Sequence, residues 1–203
     1  MRPIFIICIS FLIISCGPDP AYLNEINSYR TEHLGDLIHN ERAPLDSSNL
    51  EDVTFFDLDP SWKLHGEFQA ATNSDSFDMA TYSGKTKPYF TYGEVTLDRG
   101  DSRFTIEVYK SVRLSAMPEY ATHLFLPFKD VTNGESSYGG GRYIDLDESD
   151  INNNVVLIDF NKCYNPWCAY SDGFNCPIPP KANHMDFEIL AGESAYKGEI
   201  KGK

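Results

Sequence analysis

The sequence is short of positive charge. Seventeen Lys and Arg stand against thirty Asp and Glu, for a formal net charge of −13, and the basic residues form no cluster. Holding nucleic acid or anionic lipid by charge needs such a cluster to replace the counterions of the phosphates. No nucleic-acid partner is therefore expected, and the acidity is read as a solubility device. Repeats, low-complexity tracts and internal linkers are also missing. Histidine is scarce, with His33, His39, His65, His123 and His184 the only five, and none stands in a recognisable partner motif for a nucleophile. No Cys-x-x-Cys pair occurs. Cys163, Cys168, Cys176 and His184 together match the spacing of no zinc module, so no metal is expected. The run Gly139-Gly140-Gly141-Arg142 lacks the Gly-x-x-x-x-Gly-Lys pattern of a nucleotide loop, and no cofactor is expected. The acidic stretch Asp145–Asp150 lacks the sharp-turn glycine and the terminal bidentate glutamate of a calcium loop, so it reads as a solvated turn.

What is present begins at the N terminus. Arg2 is followed by an apolar run, Ile4–Ile14, broken by Cys8 and Ser10. It is too short for a finished transmembrane helix, which takes about 20 residues. The run ends in Ile13-Ile14-Ser15-Cys16, then Gly17-Pro18-Asp19-Pro20. An apolar core, a small residue and then cysteine resembles a bacterial lipobox, the alternative being an ordinary secretory signal with a chance cysteine. The resemblance implies that residues 1–15 are removed as a signal peptide and that Cys16 is lipidated. Acyl chains contribute about 0.8 kcal/mol per buried methylene and would hold the protein on a membrane. Gly17 in place of Asp after the cysteine implies sorting to the outer membrane, so the expected address is the cell envelope. The removed piece carries Arg2 and no acid, so residues 16–203 are one charge more acidic than the whole chain.

The remainder reads as one domain. Asp19 can cap a helix whose first residue is Pro20. Leu23, Ile26, Leu34, Leu37 and Ile38 fall on one face at helical spacing, with Asp36 and His39 elsewhere, which predicts an amphipathic helix at about 21–40 packed as a lid. The Ala43-Pro44-Leu45 turn ends it. From Trp62 the period changes to two. One face carries Leu64, Phe68 and Ala70, and another Phe77, Met79 and Thr81. Tyr89, Thr91, Val95 and Leu97 alternate with Phe90, Tyr92 and Glu94. Phe104, Ile106 and Val108 follow, then Leu124, Leu126 and Phe128. Turn signals separate them, among them Asp98-Arg99-Gly100-Asp101. The continuous run Val155–Phe160 predicts a strand covered on both faces, and Met185, Phe187 and Ile189 predict a last strand. The polar tail, Lys197–Lys203, is expected to fray. The fold class is therefore mainly β, an antiparallel barrel or sandwich over about 62–190, with one N-terminal helix.

The stretch from Ser136 to Asn183 concentrates what a site needs: three consecutive glycines, three of the five cysteines, seven aromatics and a Pro177-Ile178-Pro179-Pro180 run. Glycines allow close approach of a ligand or a tight turn, and Arg142 could clamp an anion or pair with a local carboxylate. Asp159 and Asn161, two apart, would share one face of a strand that ends at the Asn165-Pro166 turn. Arg142 could then reach Asp159. The candidate ligand-binding residues are Arg142, Tyr143, Asp159, Asn161, Tyr164, Asn165 and Tyr170. Cys168 could be a nucleophile, a zinc ligand or half of a disulfide with Cys176.

Several segments here resemble an uncharacterised bacterial family, domain of unknown function 1684. They are Phe128-Lys129-Asp130-Val131-Thr132-Asn133-Gly134, Tyr138 to Tyr143, Asp159 to Ser171, Cys176 to Pro180 with Asn183, and Ala191-Gly192-Glu193. The resemblance is dense from about Phe125 to Glu193. It implies that Cys168 and Cys176 are the matched pair and that Cys163 is a spare thiol. It implies no activity. The reading is an envelope lipoprotein that binds a small molecule or glycan fragment near these motifs. Its rivals are a thiol- or carboxylate-dependent hydrolytic enzyme using Cys168, Asp159 and Arg142, and a purely structural lipoprotein.

Overall fold

The computed structural model describes residues 18–202 except 40 and 74; the apolar N-terminal run and Cys16 lie outside the described residues. Helix α1 spans Pro20–His39. It starts where the capping pattern predicts, with Asp19 Oδ1 accepting from the Ala21 amide at 3.1 Å. Its buried side chains are Tyr22, Ile26 and Leu37. Leu34 and Ile38 are half-buried, while Leu23, expected on the packed face, is 40% exposed. Tyr22 takes the inward place because its hydroxyl has a buried partner in the body of the protein. Among the described residues no helix is long and apolar enough to cross a membrane.

Among the described residues seven antiparallel strands form a single sheet: β1 Lys63–Ala70, β2 Phe77–Ala80, β3 Thr86–Arg99, β4 Ser102–Ser111, β5 His123–Phe128, β6 Arg142–Asp147 and β7 Val155–Asp159. The spatial order is β6-β5-β4-β3-β1-β7, with β2 pairing only on β3. The mainly-β architecture expected from the alternation is present, and the sheet curls as a half-barrel. Its longest hairpin, β3–β4, turns through Gly100 and Asp101 between the paired Arg99 and Ser102. Gly100 sits at φ +58°, the left-handed conformation that a two-residue hairpin loop requires.

The inner face of the sheet carries the main core. Val95 and Leu97 of β3, Ile106 and Val108 of β4, Leu124 and Leu126 of β5 and Ile158 of β7 are all 1% exposed or less. A β-bulge between Thr91 and Gly93 changes the face of β3. Tyr89 and Thr91, expected beside Val95 and Leu97, therefore lie on the other side. Tyr89 packs there with Met79, Tyr109, Phe125 and Tyr143 in a second cluster. A third cluster joins Leu37 of α1 to Leu45, Val53, Ala169 and Tyr170.

Three local expectations are corrected. The residues Met185, Phe187 and Ile189 do point into the core, but their segment is irregular rather than a strand. Its backbone polar groups are met by Lys129 and by side chains instead of a ladder. β7 is an edge strand with one covered face: Val156 and Ile158 are buried, whereas Val155 is 43% and Leu157 36% exposed. The tail is pinned through Lys201, whose amide donates to the Tyr170 carbonyl at 3.0 Å while its carbonyl accepts from the Asp172 amide at 2.9 Å.

Candidate functional site

The two ends of the sheet, β6 and β7, do not pair with each other. The chain leaving β7 crosses back to β6, where Tyr143 and Tyr164 exchange backbone hydrogen bonds of 2.9 and 3.0 Å. The space left between the strand ends and α1 is a cleft of about 930 Å³. From α1 it takes Tyr29, Glu32, His33 and Asp36, at i, i+3, i+4 and i+7, which is one stripe of a helix. From β6 it takes Ile144, Asp145 and Leu146, and from β7 Leu157 and Asp159. Lys162, Tyr164 and Trp167 come from the turns that follow β7.

Of the residues expected to bind ligand, the cleft contains Asp159 and Tyr164. Tyr164 donates its hydroxyl to Asp145 Oδ2 at 2.6 Å, and His123 Nε2 lies 2.9 Å from the other oxygen. Burial, with the Asp145 charge beside it, raises the Tyr164 phenol well above its ordinary range, so it stays protonated as a donor. Asp159 closes β7 and caps the turn after it through the Asn161 amide at 3.0 Å. Both its oxygens accept from the Tyr22 hydroxyl at 2.9 Å. Asn161 is fully buried. Its amide group spans Tyr22, Asp159 and the Asp59 backbone at 2.9–3.1 Å. Asp159 and Asn161 thus tie α1 to the sheet.

Arg142 lies elsewhere. Its side chain is wholly buried, and its partner is Asp130 at 2.7 Å, not Asp159. Three carbonyls complete the shell: Ile189 at 2.7 Å, Ala191 at 2.6 Å and Glu193 at 3.2 Å. This is a clasp on the irregular core segment, and it explains how a segment without a ladder keeps its shape. The adjacent Gly141 has φ +92°, and a Cβ there would stand 2.5 Å from the Phe128 carbonyl oxygen. The triple glycine therefore ends in a tight turn under β5.

Asn165 and Tyr170 meet at Glu193, which is fully buried. The Asn165 amide donates to Oε2 at 2.9 Å and its side-chain Nδ2 to Oε1 at 2.9 Å. The Tyr170 hydroxyl donates to Oε1. The fourth partner is His33 of α1, with Nε2 3.0 Å from Oε2. Tyr143 is buried under β6 and gives its hydroxyl to the Pro177 carbonyl. Cys168 and Cys176 form a disulfide with Cα atoms 6.3 Å apart. Its loop carries Phe174, whose ring meets Trp167 edge-on at 5.1 Å at the cleft wall. Cys163 is a buried free thiol, pushed up to about 11 by burial.

Glu32, His33 and Asp145 belong to the cleft without having been read as site residues. The polar stripe on α1 was available in the sequence as a second periodicity beside the apolar one. His33 and Glu193 are 160 residues apart, and no spacing rule joins them.

No curated protein matches this chain. The chain is similar to the solution NMR structure of an uncharacterised protein from gene locus rrnAC0354 of Haloarcula marismortui. The identity is 27% and the TM-score 0.65, covering 86% of this chain and 94% of that one. The family described as "Protein of unknown function (DUF1684)" matches residues 48–194. That span holds every strand of the curled sheet, the Arg142 clasp and, of the Glu193 node, Asn165, Tyr170 and Glu193 but not His33, and the chain belongs to this family.

Proposed function

We propose that the protein is an envelope lipoprotein, anchored through Cys16, that binds a small polar molecule or glycan fragment in the cleft between α1 and the ends of β6 and β7. The observation that carries this reading is the cleft itself. Its volume of about 930 Å³ lies within the range of small-molecule sites, and aromatic rings alternate with polar groups along its walls. Tyr29, Tyr164 and Trp167 supply flat faces of the kind that pack on sugar rings, while Asp145 and Glu32 supply acceptors for hydroxyls. The N-terminal lipobox-like sequence supports the address.

A thermal-shift screen of sugars and metabolites tests the binding. Ligands are expected to raise the melting temperature of the native protein, and Tyr164→Ala is expected to remove the shift. A panel without a single shift, or shifts that Tyr164→Ala leaves intact, would count against the cleft. For the anchor, Cys16→Ser is expected to release the protein into the soluble envelope fraction, and unchanged detergent partition would reject it.

A further inference from the structure

We infer that His33, held in one tautomer by Glu193, is the residue by which the cleft selects ligands that carry an amine. This rests on the reading of the cleft as a binding site and names the class of ligand it takes.

The first step is the state of the ring. Glu193 is fully buried and receives three unambiguous donors, the backbone and side-chain N–H groups of Asn165 and the Tyr170 hydroxyl. A carboxylate so surrounded is an acceptor. The fourth contact, His33 Nε2 at 3.0 Å, therefore places the ring hydrogen on Nε2. In the neutral ring this leaves Nδ1 as an acceptor, and Nδ1 has no hydrogen-bond partner among the described residues. The ring is fixed further by Tyr164, 5.4 Å away, and by Tyr29, stacked at 6.4 Å. His33 lines the cleft, and with Nε2 turned to Glu193 the ring nitrogen left for a ligand is Nδ1.

The second step is what else the cleft offers. Its walls carry the carboxylates of Glu32, Asp36, Asp145, Asp150 and Asp159 and a single cationic side chain, Lys162. The Lys162 ammonium is already 2.6 Å from Glu25, outside the cleft lining. Both the hydrogen-bonding pattern and the charge thus call for a donor. An ammonium group meets His33 Nδ1 and the field of the carboxylates together, and tyrosine faces favour a cation over them. A carboxylate or phosphate ligand would face five carboxylates with one ammonium, Lys162, that is already paired.

The experiment uses three disaccharide probes on one scaffold: deacetylated chitobiose, its N-acetylated form and a uronic-acid disaccharide. Titration calorimetry on the native protein is expected to rank the amine first and the acid last. His33→Phe keeps the ring packing and removes the acceptor, together with the N–H that Glu193 receives. It is expected to weaken the amine roughly ten-fold to a hundred-fold, as loss of one charge-assisted hydrogen bond does, with an unchanged fold by near-UV circular dichroism. His33→Gln, whose amide can still give to Glu193 and accept from a ligand, is expected to recover part of the loss. Ring ¹⁵N shifts of His33 at neutral pH are expected to show hydrogen on Nε2. Hydrogen on Nδ1, equal binding of amine and acid, or indifference to His33→Phe would each overturn the inference while leaving the cleft a binding site. Failure of all three probes would also overturn it, and the cleft reading would fall as well only if the wider screen were empty.

Discussion

Arg142 shows how one side chain can serve a motif that looks like a ligand site. Its guanidinium meets Asp130 and three carbonyls in a dry setting, at 2.6–3.2 Å. Removing one partner of a buried ion pair strands the other charge, so Arg142→Ala is expected to destabilise the protein by about 3–5 kcal/mol in urea unfolding. The double change with Asp130→Asn is expected to cost less than the two single changes together, because it leaves no unpaired charge. The same arginine marks a limit of sequence reading. A buried clasp and an anion clamp use the same residue types beside the same glycines, and only the position of Asp130 and the 189–193 carbonyls separates them. The disulfide was legible through the family resemblance, which singled out Cys168 and Cys176. The Glu193 node was not legible, since its four donors come from two segments, α1 and 165–170, that lie far from Glu193 in the sequence.

At the scale of elements, α1 and the strands were readable because period and capping act locally. Asp19-Pro20 starts the helix and Gly100-Asp101 turns the hairpin for reasons contained in a few residues. The segment Met185–Ile189 was misread because alternate residues point inward there without any ladder, and side-chain period alone cannot tell the two apart. The β3 bulge has no sequence mark beyond Gly93, and it moved Tyr89 across the sheet. α1 itself is held to the body by Ile26 and Leu37 in the core and by polar ties that include the Tyr22 contact with Asp159, the Tyr29 hydroxyl on the Lys162 carbonyl and the His33 contact with Glu193. Tyr22→Phe removes the hydrogen bond to the charged Asp159 and the one that Asn161 gives the hydroxyl, and is expected to cost at least about 1.5–3 kcal/mol. Hydrogen exchange is expected to show that loss first in the amides of α1, and a uniform loss across the sheet would contradict the assignment.

The whole molecule is rich in buried phenols, and its alkaline limit follows. Burial pushes Tyr89 up to about 12 from 10.0, and Cys163 up to about 11 from 9.0. Tyr143, Tyr164 and Tyr170 are raised further, with burial the main cause. Above the unfolded values the unfolded chain releases protons that the folded protein still holds, which draws the equilibrium toward unfolding. Stability from these groups is complete below pH 9, falls as pH rises through 10, and is lost as the folded groups ionise at about 11 and beyond. Denaturant midpoints between pH 8 and pH 11.5 are expected to fall monotonically, and a flat profile would show that the phenols are more accessible than the structure makes them.

The reach of α1 has a consequence for the order in which the protein is built. Its ties to Asp159, Lys162 and Glu193 join residues 133 to 160 positions apart. A chain made from its N terminus completes this helix first, yet the helix has no Glu193 to receive His33 until nearly the whole chain exists. Closing so long a loop is also entropically late compared with the β3–β4 hairpin, whose ends are two residues apart. The sheet can therefore assemble with one wall of the cleft missing, and the cleft is completed last, by a helix made early.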